Sequence, residues 1–226
     1  MTCRVDCVCF DLDDTLFDYH EYARTGLDSA ADLLESYTGD RYHEQLQTLY
    51  FEEGVTDGTF DRLLSNEELP ADMVEELVEA YHEATAPLSP YPETERVLEA
   101  LSGYQLGLIT DGRGGFQKLD RLGLREQFDS IVVTPRIDTS KRDPVAFRTV
   151  LSELNVDAED AVYVGDDPRF DFRVPNQLGM WTIRLRRGRH ASLEPADDDA
   201  APDAEIESLD GLLAELDGVD AEPARR

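Results

Sequence analysis

"CVCFDLDDTLFD", residues 7–18, decides how the rest of the chain is read. An apolar run from Val5 to Phe10 ends in four acids within eight residues: Asp11, Asp13, Asp14 and Asp18. Close carboxylates repel, at a cost in free energy unless a cation, a proton or solvent relieves them. The apolar run itself reads as a buried strand over residues 4–10. Beyond it the apolar spacing turns helical at Tyr19, Tyr22, Ala23, Gly26, Ala30, Leu33, Leu34 and Tyr37, closed by Gly39. The same spacing predicts a second helix around Tyr42, Leu46, Leu49 and Tyr50. A third follows Asn66, with Met73, Leu77, Ala80, Tyr81 and Ala84 on one face. "PLSPYPET" (87–94) then breaks the chain.

Past that break, strand and helix alternate. Strands are predicted at 104–110, 130–134, 161–165 and 181–185, with helices near 92–101, 115–122, 144–154 and 170–178. The apolar runs are continuous rather than alternating, as in strands covered on both faces. The fold class that follows is α/β: a Rossmann-like parallel sheet flanked by helices, with a small α-helical cap domain inserted after the first strand. Residues 1–17 and 89–216 form the expected core, 18–88 the cap and 217–226 a disordered tail. Within the core, "ASLEPADDDAAPDA" (191–204) reads as a mobile low-complexity loop and 205–216 as a helix docking back.

The formal net charge is -29, with 50 acids against 21 bases. A binder of phosphate backbones carries the opposite balance, so nucleic acid is not an expected partner. The acids are spread along the whole chain, in the manner of proteins adapted to high salt, where screening removes self-repulsion; a haloarchaeal source is expected. No apolar run is long enough to cross a bilayer, and no basic stretch leads into an apolar signal core, so the reading is cytoplasmic. Cys3, Cys7 and Cys9 crowd one strand, where Cys7 and Cys9 share a face and read as small buried side chains. Monomer and homodimer both stay open.

In an open parallel sheet, ligands bind outside the carboxyl ends of the strands. Those ends carry Asp11-Leu12-Asp13, Thr110-Asp111-Gly112 and Gly165-Asp166-Asp167, with Asp171 a little further on. Lys141 follows the third strand, just before a helix whose start is marked by Asp143 and Pro144. Converging carboxylates without a thiolate pair point to a hard divalent cation, Mg2+. Thr110 and Lys141 suit the oxygens of a phosphoryl group. Only two of the 21 bases are lysine, Lys118 and Lys141, so a lysine where a phosphate-facing cation is wanted is informative. Lys118, in "FQKLDRLGL", reads as a surface salt-bridging residue of an amphipathic helix, with a supporting role behind the site as the lesser alternative. Asp18, Asp111 and Asp143 read as turn or cap acids, although Asp111 also stands beside the substrate position with Gly112 and Arg113.

"DLDDT" (11–15), Thr110, Lys141 and "GDDPRFD" (165–171), in that order and each at its strand end, resemble the four motifs of the haloacid dehalogenase-like hydrolase superfamily. A helical insertion directly after the first motif is similar to that superfamily's first cap type. The resemblance implies that Asp11 is the nucleophile, forming an aspartyl-phosphate. Asp13 would protonate the leaving alkoxide and then activate water. Mg2+ would be held by Asp11, the backbone carbonyl of Asp13 and Asp166, while Asp171 would support either the metal shell or Lys141. Two positions depart from the family pattern: Arg142-Asp143 separates Lys141 from the proline that usually follows it directly, and Phe170 stands where Asn is frequent. Arg142 is thus an alternative phosphate cation. Asp14 reads as a turn residue able to face water.

Among the superfamily's branches, 2-haloacid dehalogenases need no acid for a halide and usually lack one two residues past the nucleophile. Asp13 therefore favours phosphate-ester hydrolysis. A sugar-phosphate mutase and a non-catalytic Mg-binding phospho-sensor are the alternatives. The expected partner is a small phosphorylated metabolite, with Arg24 and Arg113 as candidates for an anionic substrate tail and Tyr19, His20 and Tyr22 for the entrance.

Overall fold

The computed structural model describes residues 5–221; Cys3 and residues 222–226 of the expected tail lie outside them. In chain order the elements are β1 (Cys7–Phe10), α1 (Tyr19–Thr38), α2 (His43–Gln47), which runs into a π-helical turn at Thr48–Glu52, α3 (Thr59–Asn66), α4 (Val74–His82), α5 (Thr94–Ala100), β2 (Gln105–Thr110), α6 (Gly115–Leu122), β3 (Ser130–Val133), α7 (Pro144–Leu154), β4 (Ala161–Gly165), α8 (Arg173–Leu178), β5 (Trp181–Leu185), β6 (Ala204–Ile206) and α9 (Leu212–Ala221). The sheet has six strands in the order β3-β2-β1-β4-β5-β6, every neighbouring pair parallel. The fold is the Rossmann-like α/β sheet expected.

The strands form because their apolar side chains are covered on both sides of the sheet; every residue of β1 and β4 is buried. On one face Cys7, Cys9 and Tyr163 pack with Phe147, Val150 and Leu154 of α7 and with Val174 near the start of α8. The chain separates into two compact units: one comprises the residues up to Tyr19 and those from Ser89 onward, the other is His20–Leu88. The second is helical, with a core that includes Tyr22, Leu27, Leu34, Leu46, Leu63 and Leu77. No helix among the described residues is long and apolar enough to cross a membrane.

Three expectations need correction. The stretch expected as a loop and docking helix holds the 3-10 turn Asp198–Ala200 and β6, which pairs with β5 through Ile183, Arg184 and Leu185. A three-residue strand has too few side chains to show a period, and only pairing with its neighbour defines it. α9 continues to Ala221, into the stretch expected as tail. The helical unit also has one helix more than the spacing indicated, α3, whose eight residues bury Phe60, Leu63 and Leu64.

Candidate active site

Strand register sets the site. Phe10 of β1 lies opposite Leu108 of β2 and Val164 of β4, so these three strands end nearly level. Asp11 extends the ladder by one bond, its N–H donating to the Val164 carbonyl at 2.8 Å. Strand order reverses direction between β1 and β4, where a parallel sheet leaves a crevice. A pocket of about 230 Å³ opens there, lined by Asp11, Asp13, Thr110, Gly112, Lys141 and Asp166 and reaching Asp111, Asp171, Arg189 and His190. The larger recess, about 900 Å³, belongs to the helical unit. Its polar side chains pair with one another, His43 with Asp32 at 2.9 Å and Arg41 with Glu35 at 3.2 Å, and it holds none of the strand-end residues.

Lys141 is buried among carboxylates. Its Nζ donates to Asp11 and, at 2.8 Å, to Asp171. Asp171 in turn accepts from the Tyr163 hydroxyl at 3.1 Å and from the backbone N–H groups of Asp166 and Asp167 at 3.1 and 2.8 Å. These contacts brace Lys141 and the turn that carries Asp166. The carboxylate lies so close to Gly165 that a Cβ there would meet it at 2.6 Å. The Arg142 guanidinium lies 4.3 Å from the centroid of Phe170, the ring standing where the family often has Asn, and Arg142 is not among the residues that line the pocket. Asp143 caps α7, accepting from the Val145 N–H at 2.9 Å with Pro144 at the first helical position. Asp111 uses its carboxylate on the scaffold, accepting from Thr134 Oγ1 at 2.6 Å and from the Lys141 N–H at 3.0 Å. It thereby holds the segment that carries Lys141. Arg113 is exposed and does not line the pocket.

Carboxylates exceed cations here. Burial, with Asp171, Asp166 and Asp13 adding to it, holds the Asp11 carboxyl well above its ordinary range against the opposing charge of Lys141. Burial, then Asp171 and Asp14, pushes Asp166 up to about 9. Burial works against the charge of Lys141, but Asp11 and Asp171 outweigh it and raise the lysine. Asp11, Asp166 and Asp171 offer oxygens within 4.8 Å of one another, all three residues buried. That all-oxygen, charge-rich set fits a hard divalent cation, which would remove the excess negative charge.

Two further contributors complete the site, one expected at most in a supporting role and one missed. Lys118 is not on the surface: it is 2% exposed, and its Nζ lies 2.7 Å from both carboxylate oxygens of Asp13. The signal was present in the scarcity of lysine, since both lysines of the chain lie in or against the pocket. The other contributor is the turn after β5, Gly188–His190. Here Arg189 pairs with Asp14, and His190 Nδ1 lies 2.8 Å from Asp166 Oδ2. Asp14 does not face water; it is fully buried and accepts from the Tyr19 N–H at 3.2 Å. The ring of Tyr19 lies beneath both new cations, 5.0 Å from Lys118 Nζ and 3.6 Å from the Arg189 guanidinium. Tyr22 instead belongs to the helical unit's core, its hydroxyl 2.9 Å from His82 Nδ1. Arg24 of that unit stacks on Phe51 at 4.7 Å.

A family model described as "Haloacid dehalogenase-like hydrolase" matches residues 8–185, from the first strand to the last residue of β5. The chain belongs to the haloacid dehalogenase-like hydrolases. Among curated relatives, the glyceraldehyde 3-phosphate phosphatase of Methanopyrus kandleri is 35% identical over 225 residues, covering 92% of this chain and 96% of that protein. Among solved structures, a 2-haloacid dehalogenase from Pseudomonas syringae superposes with a TM-score of 0.68 at 26% identity, over 95% of this chain and 98% of its own. A haloacid dehalogenase-like phosphatase from Thermococcus onnurineus gives 0.64 at 25% identity, over 95% and 99%. The fold therefore accommodates both reactions, and the residues of the site must separate them.

Proposed function

We propose that this haloacid dehalogenase-like hydrolase is a Mg2+-dependent phosphatase of small phosphorylated metabolites that passes the phosphoryl group through Asp11. The observation that carries this reading is Asp13: a second acid in the Asp11 pocket, its carboxyl oxygens 2.7 Å from the Nζ of a buried lysine. A halide departs without a proton, whereas an alkoxide needs one.

In the first half-reaction an Asp11 carboxylate oxygen attacks phosphorus while the ester P–O bond breaks. The departing alkoxide takes the proton of Asp13. In the second, Asp13, now a carboxylate paired with Lys118, accepts a proton from a water molecule whose oxygen attacks the acyl phosphate. Inorganic phosphate leaves and Asp11 is regenerated. Lys141 balances the charge of Asp11 and, with Thr110, holds phosphoryl oxygens; Asp171 and Asp111 keep Lys141 in place. Asp11, Asp166 and the Asp13 carbonyl would hold Mg2+, whose positive charge shields the nucleophile from the anionic substrate.

The test is a screen of phosphorylated metabolites with Mg2+ at low and high KCl, comparing wild type with Asp11→Asn. Glyceraldehyde 3-phosphate comes first because several relatives carry that name. Wild type is expected to turn over substrate with Mg2+ and not with EDTA, and Asp11→Asn to lose about 10³-fold or more. Equal turnover by the two proteins overturns the nucleophile. The second reading, a dehalogenase, is favoured by the likeness to the Pseudomonas enzyme; halide release from 2-haloacids without phosphatase activity would establish it instead.

A further inference from the structure

The turn after β5 brings to the pocket a cation that the chemistry at Asp11 does not use. Arg189 donates from Nε to Asp14, and its guanidinium carbon lies over the Tyr19 ring, 3.6 Å from the centroid. Both supports are fixed: Asp14 is fully buried at a φ of 62°, and its side chain holds the Tyr19 N–H. The turn itself is pinned. Gly188 has φ 70°, and a Cβ on it would come within 2.6 Å of the Asp14 side chain, so only glycine lets the turn approach so closely. Arg184, fully buried on β5, donates to the carbonyls of His190 and Leu193 at 3.0 and 2.7 Å and holds the far side of the turn.

The guanidinium is thus secured along one edge and one face. Its two terminal amino groups have no hydrogen-bond acceptor among the described residues, yet the side chain is only 30% exposed and lines the pocket with Asp11 and Asp13. Neutralising Asp14 accounts for the Nε bond and for nothing else: a cation serving only that acid has no need of two open donors. A pre-oriented pair of N–H donors is the complement of an oxyanion.

We propose that Arg189 binds a second oxyanion on the leaving group, so that the preferred substrate is a small phosphomonoester bearing a carboxylate or a second phosphoryl group a few atoms from the ester. This rests on the phosphatase reading above. Thr110 and Lys141 would then hold the phosphoryl group being transferred, and Arg189 the part of the molecule that departs.

Two matched pairs test it: 3-phosphoglycerate against glycerol 3-phosphate, and ribulose 1,5-bisphosphate against ribulose 5-phosphate. Wild type is expected to favour the doubly anionic member of at least one pair in kcat/KM, and the pair that shows it tells carboxylate from phosphoryl. Arg189→Lys keeps a cation over Asp14 but loses the fork, and is expected to cut that preference about 10- to 100-fold, chiefly through KM of the anionic member. If Arg189 only braces Asp14, both members of a pair lose the same factor, the ratio stays, and the inference is overturned. A wild type with no preference in either pair overturns it too, whether or not the variant folds. A wild type that hydrolyses glyceraldehyde 3-phosphate or another phosphomonoester but none of these four overturns it as well; a wild type that hydrolyses no phosphomonoester of the screen above removes the phosphatase reading itself, and this inference with it.

Discussion

Two regions supply the pocket, and they arrive by different routes. The ends of β1, β2 and β4 deliver Asp11, Thr110 and Asp166 because strand register leaves them level. The turn after β5 delivers Arg189 and His190 through no register at all. It is seated by a glycine with a left-handed backbone, by one fully buried arginine and by side-chain bonds to Asp14 and Asp166. The first region carries the groups proposed for bond-making, the second the groups proposed to choose the substrate.

Substitution in each region sharpens that difference. The largest effect is expected at the strand ends. Lys141→Met leaves Asp11 and Asp171 without their shared buried cation, a change that costs about 3–5 kcal/mol of stability for a buried pair broken on one side. Phosphatase activity should fall about 10³-fold with it. Thermal unfolding and initial rates read both; a variant as stable and as active as wild type would remove Lys141 from the site.

Asp166 belongs to both regions, ending β4 and meeting His190. Burial, then Asp171 and Asp14, raises it from 3.8 to about 9. A carboxyl raised on folding contributes stability at pH values below its unfolded pKa, and that contribution is lost as pH climbs through the folded value. In EDTA, the Tm of wild type should therefore fall relative to Asp166→Asn as pH rises from about 4 to about 9. Mg2+ should raise the wild-type Tm most at the alkaline end, where fewer protons compete, and leave the variant nearly unmoved. A difference in Tm that is constant with pH contradicts the assignment.

The smallest effect is expected at Gly188. Gly188→Ala places a Cβ against Asp14 in a strained backbone conformation, at about 1–3 kcal/mol, or a fall in Tm of about 2–12 °C. Gly39→Ala is the control: its φ is also left-handed, at 82°, but nothing lies within 4 Å of the added atom. Equal shifts for the two variants would mean that close packing on Asp14 does not seat the turn.

What could be read from sequence follows the same division. Five of the six strands and the groups at their ends were legible, because buried parallel strands are continuous apolar runs and their last residues stand out by charge. β6 was not: "AEI" is three residues long and is defined by pairing with β5. Arg184 was hidden inside a run read as apolar, although it is the largest fully buried side chain of the chain's described residues. Lys118 sits at a helical position that looks polar and solvent-facing until the helix is docked; its rarity was a better guide than its spacing. Asp14, next to Asp13, looked like one more acid able to face water, and only a cation from 175 residues further along the chain explains its burial.

If Asp11 takes up the phosphoryl group, that group can be caught on it during turnover. Rapid mixing of wild-type protein, Mg2+ and a turned-over phosphomonoester, acid quench and mass spectrometry of the peptide containing "FDLDDT" (10–15) tests it directly. The expected result is a transient phosphoryl adduct on Asp11 that forms and decays at rates compatible with turnover and is absent from Asp11→Asn. Turnover with no adduct on Asp11, or with an adduct on another residue, would contradict it.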